Sequence, residues 1–158
     1  MNRSTLALAV VSVFSAASLP MIMTGCATNK ATIAQPMAIP SGDFVVESII
    51  GFSPSKPIPE AARPTLTFDT TNPAVKVSGS TGVNRISSTA TFSPENGGIS
   101  FTPFISTRRA GPENIMAQEN AVNAALSKAQ GYTLSNDLLT LTDGTPQGKL
   151  IILRRVGK

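Results

Sequence analysis

The chain has 158 residues, 14% of them charged, and a formal net charge of +4, enough for one domain with a modest core. It has no histidine and a single cysteine, Cys26, which excludes His-based triads, imidazole metal ligands, an intrachain disulfide and iron–sulfur clusters. Twelve glycines and twelve prolines with no tryptophan fit a strand-and-turn protein better than a helical bundle.

The N-terminus pairs a short basic start, Asn2-Arg3, with an apolar run from Leu6 to Ala17 that is too short to span a bilayer. Pro20 interrupts it, and Thr24-Gly25 stands directly before Cys26. This pattern resembles a bacterial lipoprotein signal: residues 1–25 are removed, and Cys26 takes a diacylglyceryl group and an N-acyl chain. Met23 replaces the leucine usual at the third position before the cysteine, with similar size and polarity. Each buried acyl methylene adds about 0.8 kcal/mol of membrane affinity, so several chains anchor firmly. The resemblance to Gram-negative lipoproteins implies outer-membrane retention, because Ala27 stands where aspartate would hold the protein at the inner membrane. Residues 26–40 read as a lipidated tether without helical or strand period, reaching up to roughly 45 Å from the lipid. Loss of Arg3 with the signal leaves 12 basic against 9 acidic residues, a mild positive charge. The pairs Arg108-Arg109 and Arg154-Arg155 lack interleaved aromatics, so nucleic acid is a poor partner.

From Asp43 onward the apolar period is two. Phe44 to Ile50 is a first strand, stopped at Gly51 and followed by the proline-rich loop S-P-S-K-P-I-P-E. Leu66 and Phe68 mark a second strand, with a turn over Asp69 to Pro73, and Val75 and Val77 a third. Ile86, Ser88, Ala90 and Phe92 share one face of a longer strand. Asn96-Gly97-Gly98 reads as a hairpin turn, since adjacent Asn and Gly tolerate positive φ. Ile99 and Phe101 return, and Phe104 to Thr107 makes a further short strand.

Pro112-Glu113 then opens a helical segment that is expected to close at Gly131. Ile115, Val122, Ala125, Leu126 and Ala129 form its apolar stripe. Three strands follow, over Tyr132–Leu134, Leu138–Leu141 and Lys149–Leu153, and the L-I-I-L run of the last is expected in the middle of a sheet. The fold class is α+β: an antiparallel sheet of about eight strands, curved like a half-barrel, with one helix packed on it.

These residues resemble the META-domain family of HslJ-like, heat-inducible lipoproteins. The resemblance rests on Phe44, Pro64-Thr65-Leu66-Thr67-Phe68, Val77-Ser78-Gly79, Gly82, Asn84-Arg85, Ile99 and Phe101. It continues through Ser106-Thr107-Arg108, Gln118-Glu119, Leu126, Tyr132, Leu139-Thr140-Leu141 and Gly148 to Arg154, and places the domain over residues 41–158. Ala90 stands where the family often has tyrosine. Gly82, Val83, Asn84 and Arg85 match its G-C-N turn, while Thr107, Arg108 and Gly111 match its T-R-x-x-C stretch. Val83 and Gly111 thus occupy both family cysteine positions. If those positions are neighbours, the resemblance implies a family disulfide worth about 2–4 kcal/mol that this chain lacks, with Val83 and Gly111 at disulfide distance.

Other motifs read as scaffold. Ser53-Pro54-Ser55-Lys56 fits S-x-x-K, and Ser135-Asn136-Asp137 weakly matches a second penicillin-binding motif, but Pro54 and Pro57 keep the serine and lysine off a shared helical turn. Gly79-Ser80-Thr81-Gly82 lacks the lysine and helix of a phosphate loop. Asp69, Glu95, Asp137 and Asp143 sit beside turn residues without metal-ligand spacing, so no metal or non-covalent cofactor is expected. Glu119 has Arg85 or Arg108 as candidate structural partners. Two function classes follow from the resemblance. One is a non-enzymatic envelope lipoprotein that binds a protein partner in envelope maintenance, stress response or secretion. The other is a periplasmic inhibitor or a small-ligand or lipid binder. An internal apolar cavity would favour lipid, and an exposed apolar patch a protein.

Overall fold

The computed structural model describes residues 35–157. The signal at 1–25, Cys26 and the tether up to residue 34 lie outside the described residues. The strands are β1 (Gly42–Ile49), β2 (Thr65–Asp69), β3 (Val75–Ser80), β4 (Arg85–Ser93), β5 (Gly98–Phe101), β6 (Ile105–Ser106), β7 (Gly131–Ser135), β8 (Leu138–Thr142) and β9 (Lys149–Arg155). One α-helix, α1 (Glu113–Lys128), separates β6 from β7, and a single 3-10 turn spans Glu60–Ala62. Among the described residues no helix is long and apolar enough to cross a membrane.

Every strand pairing is antiparallel, in the order β3-β2-β1-β9-β8-β7-β5-β4-β6, and β3 also pairs with β4. That last pairing makes eight strands a closed barrel, with the two-residue β6 added along β4. The half-barrel expected from the sequence is corrected here. Periodicity reveals which residues face inward, and β3 and β4 join across a short turn, but the ring also needs β1 to meet β9 and β5 to meet β7, pairings between distant segments that no local pattern specifies. As its two-sided apolar run predicts, β9 lies between β8 and β1.

Alternation fills the barrel. Phe44, Leu66, Phe68, Val77, Leu139, Leu141, Ile151 and Leu153 are all at most 1% exposed. Phe44, Phe68, Phe92 and Tyr132 form an edge-to-face chain with centroids 5.7, 6.2 and 5.0 Å apart, each pair adding about 0.5–1.5 kcal/mol beyond its buried area. The interior is a packed core of side chains.

The helix contributes Ile115, Val122, Ala125 and Leu126 to burial, together with the polar Gln118 and Glu119. Pro112 sits at its N-cap, φ −55° and ψ 143°, and Glu113 in its first turn. The expected glycine exit is not used. Ala129 leaves the helix in extended conformation, φ −66° and ψ 123°, and Gly131 already belongs to β7. Strand pairing captures the chain first: the Gln130 N–H donates to the Thr142 carbonyl (2.9 Å), and the Gln130 carbonyl accepts from Ile99 N–H (3.0 Å).

The seam between β5 and β7 is the narrowest in the barrel. It has one register pair, Gly98 with Gly131, flanked by the Ile99 bond and by Tyr132 N–H donating to the Gly97 carbonyl at 2.7 Å. Beyond Ile99 that edge of β5 pairs with no other described strand. The last tether residues lie against the same end: Met37 N–H donates to the Pro94 carbonyl at 2.8 Å, and Pro40 is buried.

Candidate functional site

Ser80 and Arg85 are register partners, so Thr81 to Asn84 form the turn between β3 and β4. Thr81 N–H and its hydroxyl both donate to the Asn84 carbonyl, at 2.9 and 3.1 Å. Gly82 has φ +118°, and a β-carbon there would lie 2.9 Å from the Ala62 carbonyl oxygen, Gln118 Nε2 and Ile115 Cγ2. Both conformation and space therefore require glycine at this turn.

Asn84 is 2% exposed, and its amide is fully used. Oδ1 accepts from the Thr107 hydroxyl (2.9 Å) and Arg109 N–H (2.7 Å). Nδ2 donates to the Arg109 carbonyl (3.1 Å) and to both Glu119 carboxylate oxygens (2.8 and 3.0 Å). The amide thus pairs with the Arg109 main chain as a strand residue would, and its amine end meets the buried carboxylate. Thr107 Oγ1 in turn accepts from Arg85 N–H at 3.0 Å, and Gln118 Nε2 donates to the Ala62 carbonyl at 2.9 Å.

Val83 and Gly111 touch. A β-carbon on Gly111 would lie 3.4 Å from Val83 Cβ and 2.4 Å from its Cγ2. The first distance is at the short edge of the spacing across a disulfide, and the second shows that valine already fills the space. Gly82, Val83, Asn84, Thr107 and Gly111 thus converge on one crossing of turn, β6 exit and helix entry. Arg85 and Arg108 flank it with exposed side chains, and Cys26 lies outside the described residues. Glu119 forms no salt bridge among the described residues and takes Asn84 in place of the arginines expected from sequence. Arg109 enters through its backbone alone, which gives no signal in residue type.

Over residues 37–156 the chain matches the family model described as the META domain. The chain belongs to the META domain family. No curated protein matches it. Among solved structures it is similar to an NMR structure of a protein from Burkholderia xenovorans, with 21% identity and a TM-score of 0.56 over 75% of this chain and 83% of that one. That likeness concerns the fold alone. In this META domain the polar side chains at the Asn84 crossing bond one another and the Arg109 main chain, tying turn, β6 exit and helix together.

Two of the open surfaces on the META barrel bear on function. One is a groove of about 550 Å³ between the free edge of β5, the residues after it and the C-terminal half of α1. Phe101, Phe104 and Leu126 line it, and the two phenyl rings are 5.2 Å apart. Ile105, 75% exposed, stands just beyond. In the sequence, Phe101 and Phe104 carry a strand signal only. Phe101 ends β5 on its unpaired edge and Phe104 lies in the link to β6, an arrangement that depends on the seam and not on composition. The other is a hydroxyl-lined face over β3, β4 and β6.

Proposed function

We propose that the protein is a lipid-anchored envelope protein whose META barrel holds a protein partner without catalysing a reaction. The observation that carries this reading is the contrast between a filled interior and the groove at Phe101 and Phe104. The barrel interior is filled by its own side chains, whereas an apolar groove beside an open strand edge suits an extended apolar segment of another protein. Such a segment would pair its main chain with β5 beyond Ile99 and seat alternate side chains between Phe101, Phe104 and Leu126. The Thr24-Gly25-Cys26 sequence supports acylation at Cys26, and Ala27 supports outer-membrane retention, facing the periplasm. The resemblance to HslJ-like lipoproteins supports a role in envelope maintenance, stress response or secretion.

A photo-crosslinking residue at Phe104, in cells expressing the full chain, tests the groove; the same residue at Thr91 is the control. The expected result is an adduct from position 104 alone that maps to an extended apolar segment of one protein and disappears in the Ser127→Arg variant, which puts a bulky charge on the exposed helical wall of the groove. Adducts to lipid alone would overturn the reading in favour of a lipid binder. Labelled palmitate should enter the wild-type chain and not Cys26→Ser.

A further inference from the structure

The outer face of β3, β4 and β6 carries two cross-strand rows set by register. Ser78 pairs with Ser87 and Ser87 with Ile105; Ser80 pairs with Arg85. Thr107 extends the second row, because its N–H donates to the Arg85 carbonyl at 3.1 Å and its hydroxyl accepts from Arg85 N–H. Inward Val77 and Ile86 fix the phase, so all these side chains face outward. Together they line an open groove of about 630 Å³.

Three features distinguish this face from an ordinary solvated one. Among the described residues the Ser78 and Ser87 hydroxyls hold no hydrogen bond, and Arg85 has no carboxylate within salt-bridge range. Arg108 and Arg109, exposed and equally unpaired, follow Thr107 and add positive charge at that end. Glu119 does not cancel this charge at the surface, because it is buried at the amine end of Asn84. Asp69 and Lys76 lie together at the far end, on the adjoining stretch that shares Ser78, Ser87 and Ile105.

We propose that this face binds an acidic polysaccharide, a soluble sugar chain bearing carboxylates. A carboxylate takes the forked guanidinium of Arg85. The serine hydroxyls, set one strand spacing apart, exchange hydrogen bonds with successive sugar hydroxyls. Ile105 supplies an apolar contact for a ring face. Sparse cationic charge among many hydroxyls fits a sugar acid better than a nucleic acid or a dense phosphate surface, which calls for many cations.

Calorimetric titration of the full chain with oligogalacturonate, with a neutral maltooligosaccharide of equal length, and with phosphatidylglycerol vesicles tests the proposal. Saturable binding of oligogalacturonate is expected, with weaker binding of the other two. Arg85→Gln should weaken it about tenfold or more, since a hydrogen bond to a charged group is lost. Ser87→Asp, on an exposed position that does not support the core, should weaken it through repulsion while leaving the thermal midpoint unchanged. Equal affinity for the neutral chain, stronger binding of the vesicles, or full retention of binding in Ser87→Asp would overturn it. The groove at Phe104 is untouched by these variants, so its crosslink serves as an independent readout.

Discussion

Asn84 has a side chain that can answer a main chain and a carboxylate at once. Asn84→Ala removes the donors to Glu119 and both bonds to Arg109, leaving a buried carboxylate without its partner. The expected loss in urea unfolding is about 3 kcal/mol. Glu119→Gln should cost less, because the amide retains one acceptor for Nδ2. At Val83 and Gly111 the prediction runs the other way. The Val83→Cys, Gly111→Cys double variant should close a disulfide on oxidation, since the β-carbons are placed for it. By loop-closure entropy this should raise stability by about 3–4 kcal/mol, and reduction should reverse the gain. Tyr132 is a quieter case. Its hydroxyl is buried with no partner among the described residues, and burial, with a smaller push from the charge of Glu95, holds its pKa above the usual value. Tyr132→Phe should therefore leave the denaturation midpoint unchanged or raise it.

Two turns share one device at the scale of elements. Asp69 Oδ1 accepts from Thr71 N–H and hydroxyl at 3.0 and 2.6 Å, and Asp143 Oδ1 from Thr145 N–H and hydroxyl at 3.0 and 2.7 Å. The threonine hydroxyls first, and the N–H groups second, hold both carboxyls below their ordinary pKa of 3.8. A depressed folded-state pKa contributes stability that is present above the unfolded value and lost as pH falls through the folded one. Lowering the pH from 6 to 3 should therefore destabilise the wild type more than a Thr71→Val, Thr145→Val variant; equal slopes in urea midpoint against pH would refute this. Turn residues beside Asp69 and Asp143 made both turns legible in the sequence, but not the threonine bonds within them. The strand phases were legible too, because one face of each strand is apolar. The helix exit was misplaced at Gly131, since strand pairing by Gln130 overrode a plausible glycine cap.

At the largest scale described, the domain is a barrel closed unevenly. β1 shares a five-pair ladder with β9, whereas β5 and β7 share one pair. Local opening should begin at the weaker seam. In hydrogen exchange, the amides of Ile99 and Tyr132 should lose protection before those within the β1–β9 ladder. The sequence by itself determined the alternation of buried side chains, the single helix, the turn at Gly82 and the family of the domain, because each is written in local residue type and spacing. Only the tertiary structure decided that the sheet closes, that Asn84 holds Glu119, and that an apolar groove opens beside β5. Those features depend on contacts between residues far apart in the chain, 35 positions for Asn84 and Glu119, and on the pairing of β1 with β9 and of β5 with β7, for which no short window of sequence carries a signal.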